Sequence, residues 1–201
     1  MLLQDLLDPQ KIITAFGLVG VILIVFAESG LFFGFFLPGD SLLFTAGFLA
    51  SQGILPISLL LIGTFVAAVL GDSVGYWFGK KTGPALFSKE DSFFFKKRYM
   101  EKARIFYEIH GKKTIILARF MPIIRTFAPI IAGIGNMHYR TFLAYNILGG
   151  FIWSFGLTLL GYFLGRSIPG VDKYLLPIII AIIITSLIPG LVHLYKSRKR
   201  V

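Results

Sequence analysis

Long apolar runs separated by short polar breaks dominate this chain, and their lengths sort them into two kinds. Four are continuous enough to cross a bilayer as helices: residues 12–27, 54–79, 141–165 and 174–195. A crossing takes about 20 residues, so the first run must borrow from its neighbours. Two further runs, 28–51 and 114–137, are as apolar but interrupted, with Pro and Gly near their middles and charges inside. Broken backbone at membrane depth survives only where protein or a water-filled cavity satisfies its polar groups. Both are expected to be re-entrant helical hairpins, with ordinary proline-kinked spans as the plainer alternative. The pattern predicts an all-α polytopic membrane protein, a single membrane domain over residues 1–201.

The stretch SKEDSFFFKKRYMEKARIFYEIH, residues 88–110, follows another rule. Phe95, Tyr99, Ala103 and Phe106 recur at helical spacing with Lys and Arg between them, and Gly111 follows as a cap. It reads as a basic amphipathic helix in the membrane interface. An internal repeat also emerges. A shift of 86 residues lays Ala46-Gly47 on Ala132-Gly133, Gly63 on Gly149, Phe65 on Phe151, and Gly75, Tyr76, Gly79, Lys80 on Gly161, Tyr162, Gly165, Arg166.

Composition fixes the medium. Hydrophobic residues make up 56% of the 201 and charged residues 15%, with a mean hydropathy of +0.79. A soluble domain would be about one-quarter charged. There is no cysteine, which excludes disulfides, thiol chemistry and iron–sulfur clusters. Residues 1–11 hold two acids and one lysine, a poor start for a cleaved signal peptide, so the first segment is expected to be retained.

The net charge of +10 is clustered: ten Lys/Arg against four acids over 80–113, and four more in the tail 196–201. Nucleic-acid binding is the rival explanation, but beside apolar runs the positive-inside rule is simpler. Both segments are therefore expected in the cytoplasm, near anionic headgroups, together with residues 1–11. Lys80 is then cytoplasmic and Arg166 external, so the two repeat helices run oppositely. The expectation is an inverted repeat: 12–79 with hairpin 28–51, then 114–165 with hairpin 114–137, the hairpin tips meeting near the midplane.

Charges inside the broken runs are the candidate chemistry. AESGLFFGFFLPGDSLLF carries Glu28 and Asp40, and ARFMPIIRTFAPIIAG carries Arg119 and Arg125. An arginine at the bilayer centre costs roughly 2.5–3.5 kcal/mol even on the lenient insertion scale. Opposite charges that meet relieve one another's desolvation. Pro38, Gly39, Pro122 and Pro129 are expected to unwind the helices beside them. Asp72 is a fifth ionisable candidate, on a helix whose Gly71, Gly75 and Gly79 suit close helix packing. Arginine's planar fork fits phosphate, and unwound half-helices offer free N–H groups. Protonating a carboxylate would free an arginine for such a substrate, a route to proton coupling through Glu28, Asp40 or Asp72. A static salt-bridge staple is the alternative.

These segments, with GDSVGYWFG (71–79), FYEIHGKKT (106–114) and YNILGGFIW (145–153), resemble the DedA family of bacterial inner-membrane proteins, which carry the VTT domain. The resemblance covers roughly residues 15 to 196. It implies lipid movement across the inner membrane, of undecaprenyl phosphate or a glycerophospholipid, linked to the proton motive force. It places the family's acidic pair on Glu28 and Asp40 and its arginine pair on Arg119 and Arg125. No enzyme activity is expected, because His110, His138 and His193 fall in no catalytic or metal-ligand spacing. No cofactor, metal or nucleic acid is expected either, and self-association is left open. A proton-coupled exporter of small cations is the rival function.

Overall fold

A computed structural model describes residues 9–31, 37–87 and 113–167. Among these residues the chain forms six helices and no strand: α1 (Pro9–Gly30), α2 (Gly39–Ser51), α3 (Ile57–Phe87), α4 (Thr114–Ala118), α5 (Pro122–Ile134) and α6 (Tyr139–Ser167). The expected amphipathic helix 88–110, the last span 174–195 and the tail 196–201 lie outside the described residues.

Among the described residues two helices are long and apolar enough to cross a membrane: α3 over Ile57–Gly83 and α6 over Tyr139–Ser167, with 27 and 29 residues. At 1.5 Å per residue each exceeds the hydrocarbon thickness of about 30 Å. They run antiparallel. Thr64 and Ser154 share a hydrogen bond of 2.8 Å, Asn146 Nδ2 donates to the Val69 carbonyl at 3.0 Å, and the Tyr76 ring stacks on Phe142 at 4.7 Å.

Their polarity is inside out. Leu59, Ile62, Val66, Leu70, Val74 and Trp77 form an exposed stripe along α3, and Ile147, Phe151, Leu160 and Phe163 are exposed on α6. Thr64, Asp72, Ser73, Asn146, Ser154 and Thr158 are buried instead. A surface this apolar is a liability in water, whereas in lipid it is the solvated face. The protein is a membrane protein, and these polar groups face the interior of the bundle.

Glycines set how the other helices approach. Along α2 and α6, a Cβ on Gly47 would strike the Thr158 carbonyl, one on Gly161 the Phe44 carbonyl, and one on Gly165 the Ser51 side chain. Along α5 and α3, a Cβ on Gly133 would strike the Tyr76 carbonyl, one on Gly79 the Ile130 carbonyl, and one on Gly75 would lie 3.5 Å from Pro129. Gly47, Gly75 and Gly79 shifted by 86 are Gly133, Gly161 and Gly165, so each of these seam glycines has a counterpart 86 residues away in the other seam. Trp153 bonds Asp40 near one end of α2 and Gly165 meets Ser51 at the other, while Gly75 meets Pro129 and Gly83 meets Ile134, so α2 runs parallel to α6 and α5 parallel to α3.

The first helix departs from expectation. A Cβ on Gly63 would meet Ile22, and Gly30 lies against Gly71 with only 3.0 Å to spare for a Cβ. Beyond Gly17, whose φ of 58° interrupts the helix, α1 therefore runs parallel to α3. The sequence pattern predicts instead that 12–27 crosses the membrane in the opposite sense to 54–79. In the structure α1 continues through Glu28 to Gly30 and ends level with Gly71, partway along α3. At its other end α3 passes residue 79 and reaches Phe87, which puts Lys80 and Lys81 on the helix. Lys80 lies over the Trp77 ring at 5.3 Å, the aromatic-and-basic pairing of an interface anchor.

Candidate substrate site

The break that matters most lies between α4 and α5. Met121 is extended (φ −121°, ψ 105°), as the residue before a proline tends to be, and Pro122 starts α5 without a wasted N–H. Arg119 sits in the break itself, and Arg125 lies in the first turn of α5. Pro129 does not unwind the chain as expected: it sits inside α5, which continues through it to Ile134. Its ring packs on the Gly75 notch of α3 instead.

Across from this break, Pro38 caps α2 and Ser41 Oγ donates to its carbonyl at 3.0 Å. Asp40 stands in the first turn of α2, where the helix dipole favours an anion. Gly39 leaves room for the Glu28 carboxylate, which a Cβ there would displace. The PGD sequence thus makes the slot for one acid and supplies the other.

The five candidate charges assemble into two centres rather than one. In the first, Arg125 uses both arms of its fork: Nη1 donates to Asp40 Oδ1 at 2.5 Å, and Nη2 donates to Glu28 Oε1. In the second, Arg119 Nη2 donates to Asp72 Oδ2 and Asn146 Oδ1, each at 2.5 Å, and to the Ala68 carbonyl at 3.4 Å. Asn146 is held in turn by its bond to the Val69 carbonyl. The sequence suggests that Arg119 faces Glu28 or Asp40; it pairs with Asp72 because the break carries it toward the α3–α6 crossing. Gly149 and Gly150 make room for it: a Cβ on Gly149 would come within 3.1 Å of Arg119 Cδ, and one on Gly150 within 3.5 Å of Nη2.

Trp153 lies between the centres. Its Nε1 donates to Asp40 Oδ1 at 2.8 Å, and its ring faces the guanidinium carbons of Arg125 at 4.9 Å and Arg119 at 5.9 Å. The sequence pattern assigns no role to Trp153 or Asn146. Both residues fall in the motif YNILGGFIW, which marks them without assigning chemistry, and an amide inside the apolar run 141–165 is a further signal for Asn146.

Burial is nearly complete, with Glu28 at 0% exposure, Arg119 at 3% and Asp72 at 4%. The side chain of Asp40 is the most open of the charges, at 16%. Glu28 Oε2 and Arg119 Nε are buried without a hydrogen-bond partner. Each centre therefore keeps one polar atom unmatched, an acceptor in one and a donor in the other. Among the described residues no three His, Cys, Asp or Glu side chains converge, so the charges are organised around arginine.

An inside-out helical bundle with buried arginine–carboxylate centres defines an integral membrane protein with charges held at membrane depth. The VTT domain family matches residues 37–163. The chain is 46% identical to Protein DedA of Escherichia coli K12 over 88% of this chain and 81% of that protein. It is 48% identical to an uncharacterized membrane protein of Mycobacterium tuberculosis H37Rv, over 98% of this chain and 91% of the relative. The inner membrane protein YqjA of Escherichia coli K12 is 31% identical over 97% and 90%. No solved structure matches the chain. The chain belongs to the DedA family of membrane proteins and carries its VTT domain.

Proposed function

We propose that the protein is a lipid translocase of the bacterial inner membrane, moving a lipid with a phosphate-bearing headgroup and coupled to the proton motive force. The observation that carries this reading is Arg125. Each terminal nitrogen of its guanidinium fork donates to a carboxylate, in the first turn of a helix that begins at a chain break. A planar fork that can hold two carboxylate oxygens can hold two phosphate oxygens in their place. The helix N-terminus adds positive potential on the same side. Asp40 or Glu28, released by that exchange, is the group that takes up the proton.

The architecture proposed around this site is an inverted repeat of two re-entrant hairpins, α1–α2 and α4–α5. Three observations support it: the glycine seams related by the 86-residue shift, the termination of α1 partway along α3, and the contact of Phe65 with its own repeat mate. Phe65 and Phe151, 86 apart, meet edge to face at 6.2 Å, as residues near a pseudo-twofold axis would. The end carrying Lys80 and Lys81 is assigned to the cytoplasm by the positive-inside rule. The other end, with the α2–α3 turn and Ser167, is then external.

Cation export through the same carboxylates has less support, because Glu28, Asp40 and Asp72 each face a guanidinium that repels a cation. Reconstitution in liposomes separates the two readings. Labelled undecaprenyl phosphate or phospholipid should cross faster than in protein-free vesicles, and faster under a proton gradient. Cation flux without lipid movement would replace this proposal with the exporter.

A further inference from the structure

Trp153 links the two ion centres: it bonds Asp40, and its ring faces both Arg125 and Arg119. It is buried at 3% exposure, and its position is fixed from both sides. Ser154, the next residue, bonds Thr64 of α3, and farther along the helix Gly161 and Gly165 lock α6 against α2. The indole is thus among the least free groups at the site, whereas Arg125 has a long side chain able to change partners.

The shared atom is decisive. Asp40 Oδ1 accepts from Arg125 Nη1 and from Trp153 Nε1 at once. If Arg125 turns to a phosphate, Asp40 loses one donor and keeps the other. The ring faces both guanidinium groups, and Arg119 is anchored beyond it by Asp72, Asn146 and the Ala68 carbonyl. Arg125 is held by the two carboxylates and the ring. The unmatched Glu28 Oε2 and Arg119 Nε leave polar capacity for a rearranged state.

We propose that Trp153 is the positioning residue of the exchange: its N–H retains Asp40, and its ring guides the Arg125 guanidinium, while Arg125 passes from carboxylate to phosphate. This rests on the phosphate reading above. Other ionisable groups around Asp40 are Glu28 on α1, Asp72 on α3, Arg119 in the break and Arg125 on α5, and of these Arg125 bonds it directly. Trp153 therefore acts through Asp40 and the arginine rather than on the lipid.

The chain has two tryptophans, and the other, Trp77, is half exposed on the α3 surface. In a Trp77→Phe background the emission of Trp153 reports the cation leaving its ring. The protein is titrated with inorganic phosphate and, separately, with phosphatidylcholine vesicles containing phosphatidic acid. A saturable emission change is expected, with Arg125→Lys abolishing it. A response to both probes identifies the phosphate group as the ligand, and a response to vesicles alone identifies the intact lipid headgroup. Trp153→Phe keeps the ring and loses the N–H, so lipid binding should stay within about threefold while transport falls about tenfold, the scale of a lost bond to a charged group. Trp153→Leu should weaken binding as well, by about thirtyfold, the scale of a desolvated cation–π contact. Measured lipid binding with no change in Trp153 emission overturns the inference, as does a Trp153→Phe variant with wild-type transport. The emission measurement leaves Trp153 in place, so it decides even if those variants fail to fold. Absence of lipid binding by the wild-type protein would instead sink the phosphate reading itself, a distinguishable result.

Discussion

At the scale of residues, the charges are visible in the sequence because each is expensive in an apolar run. Glu28, Asp40, Arg119 and Arg125 stand out on that ground alone. Their partners do not, since pairing is decided by where a chain break aims a side chain. Arg119 meets Asp72 rather than an acid of the first broken run, and neutral Asn146 completes its shell. A neutral amide or an indole costs too little in a membrane segment to stand out. Two consequences can be measured. Arg125→Lys keeps the charge but cannot reach Glu28 and Asp40 with a rigid fork, so lipid transport should fall at least tenfold, whereas full activity would reduce Arg125 to a counter-ion. Asp72→Ala leaves Arg119 buried with a neutral amide and carbonyl only, and should destabilise the protein by about 3–5 kcal/mol. Adding Arg119→Met to Asp72→Ala should recover much of that loss. Thermal unfolding in detergent reads both, and strict additivity of the two changes would show that the pair is not coupled.

At the scale of elements, the glycine coincidences of the 86-residue repeat are legible in the sequence, but their meaning needs the packing. Gly47 and Gly161 on one seam, and Gly133 and Gly79 on the other, are where one helix lies directly against its neighbour's backbone, with Gly165 and Gly75 accommodating Ser51 and Pro129 beside them. Gly156, by contrast, shares helix α6 but has nothing within 4 Å of where a Cβ would stand. Gly47→Val or Gly133→Val should therefore cost about 1–3 kcal/mol or more through overpacking. Gly156→Val should change stability little, since it lies in open space and glycine is itself a poor helix former. Melting temperatures of the three variants in one detergent test the ranking. A Gly156→Val variant as unstable as Gly47→Val would show that helix propensity, and not the seam, governs these positions.

At the scale of the whole molecule, the direction of α1 is beyond the sequence. Apolar periodicity has no arrow, and residues 1–11 carry two acids and one lysine, too weak a bias to orient a helix. Contacts supply the arrow. Ile22 lies at Gly63 and Gly30 at Gly71, so α1 beyond Gly17 starts at the end of the bundle that holds the α2–α3 turn. Gly165 against Ser51 brings the end of α6 to that same face, and Ile134 near Gly83 puts the α5–α6 turn at the opposite one. The chain contains no cysteine, so single cysteines can be read without background. Cysteines at Gln52 and Ser167 should react with an impermeant maleimide from one side of the membrane, and cysteines at Lys81 and Asn136 from the other. With Lys81 cytoplasmic, a cysteine at Gln10 should label from outside together with Gln52, opposite to the orientation the sequence suggests for the N-terminal residues. Labelling of Gln10 with Lys81 would mean that the segment before Gly17 folds back across the bilayer. Labelling of Ser167 with Lys81 would go further, since α6 would no longer span, and both the inverted repeat and the opposed approach of Arg125 and Asp40 would have to be abandoned.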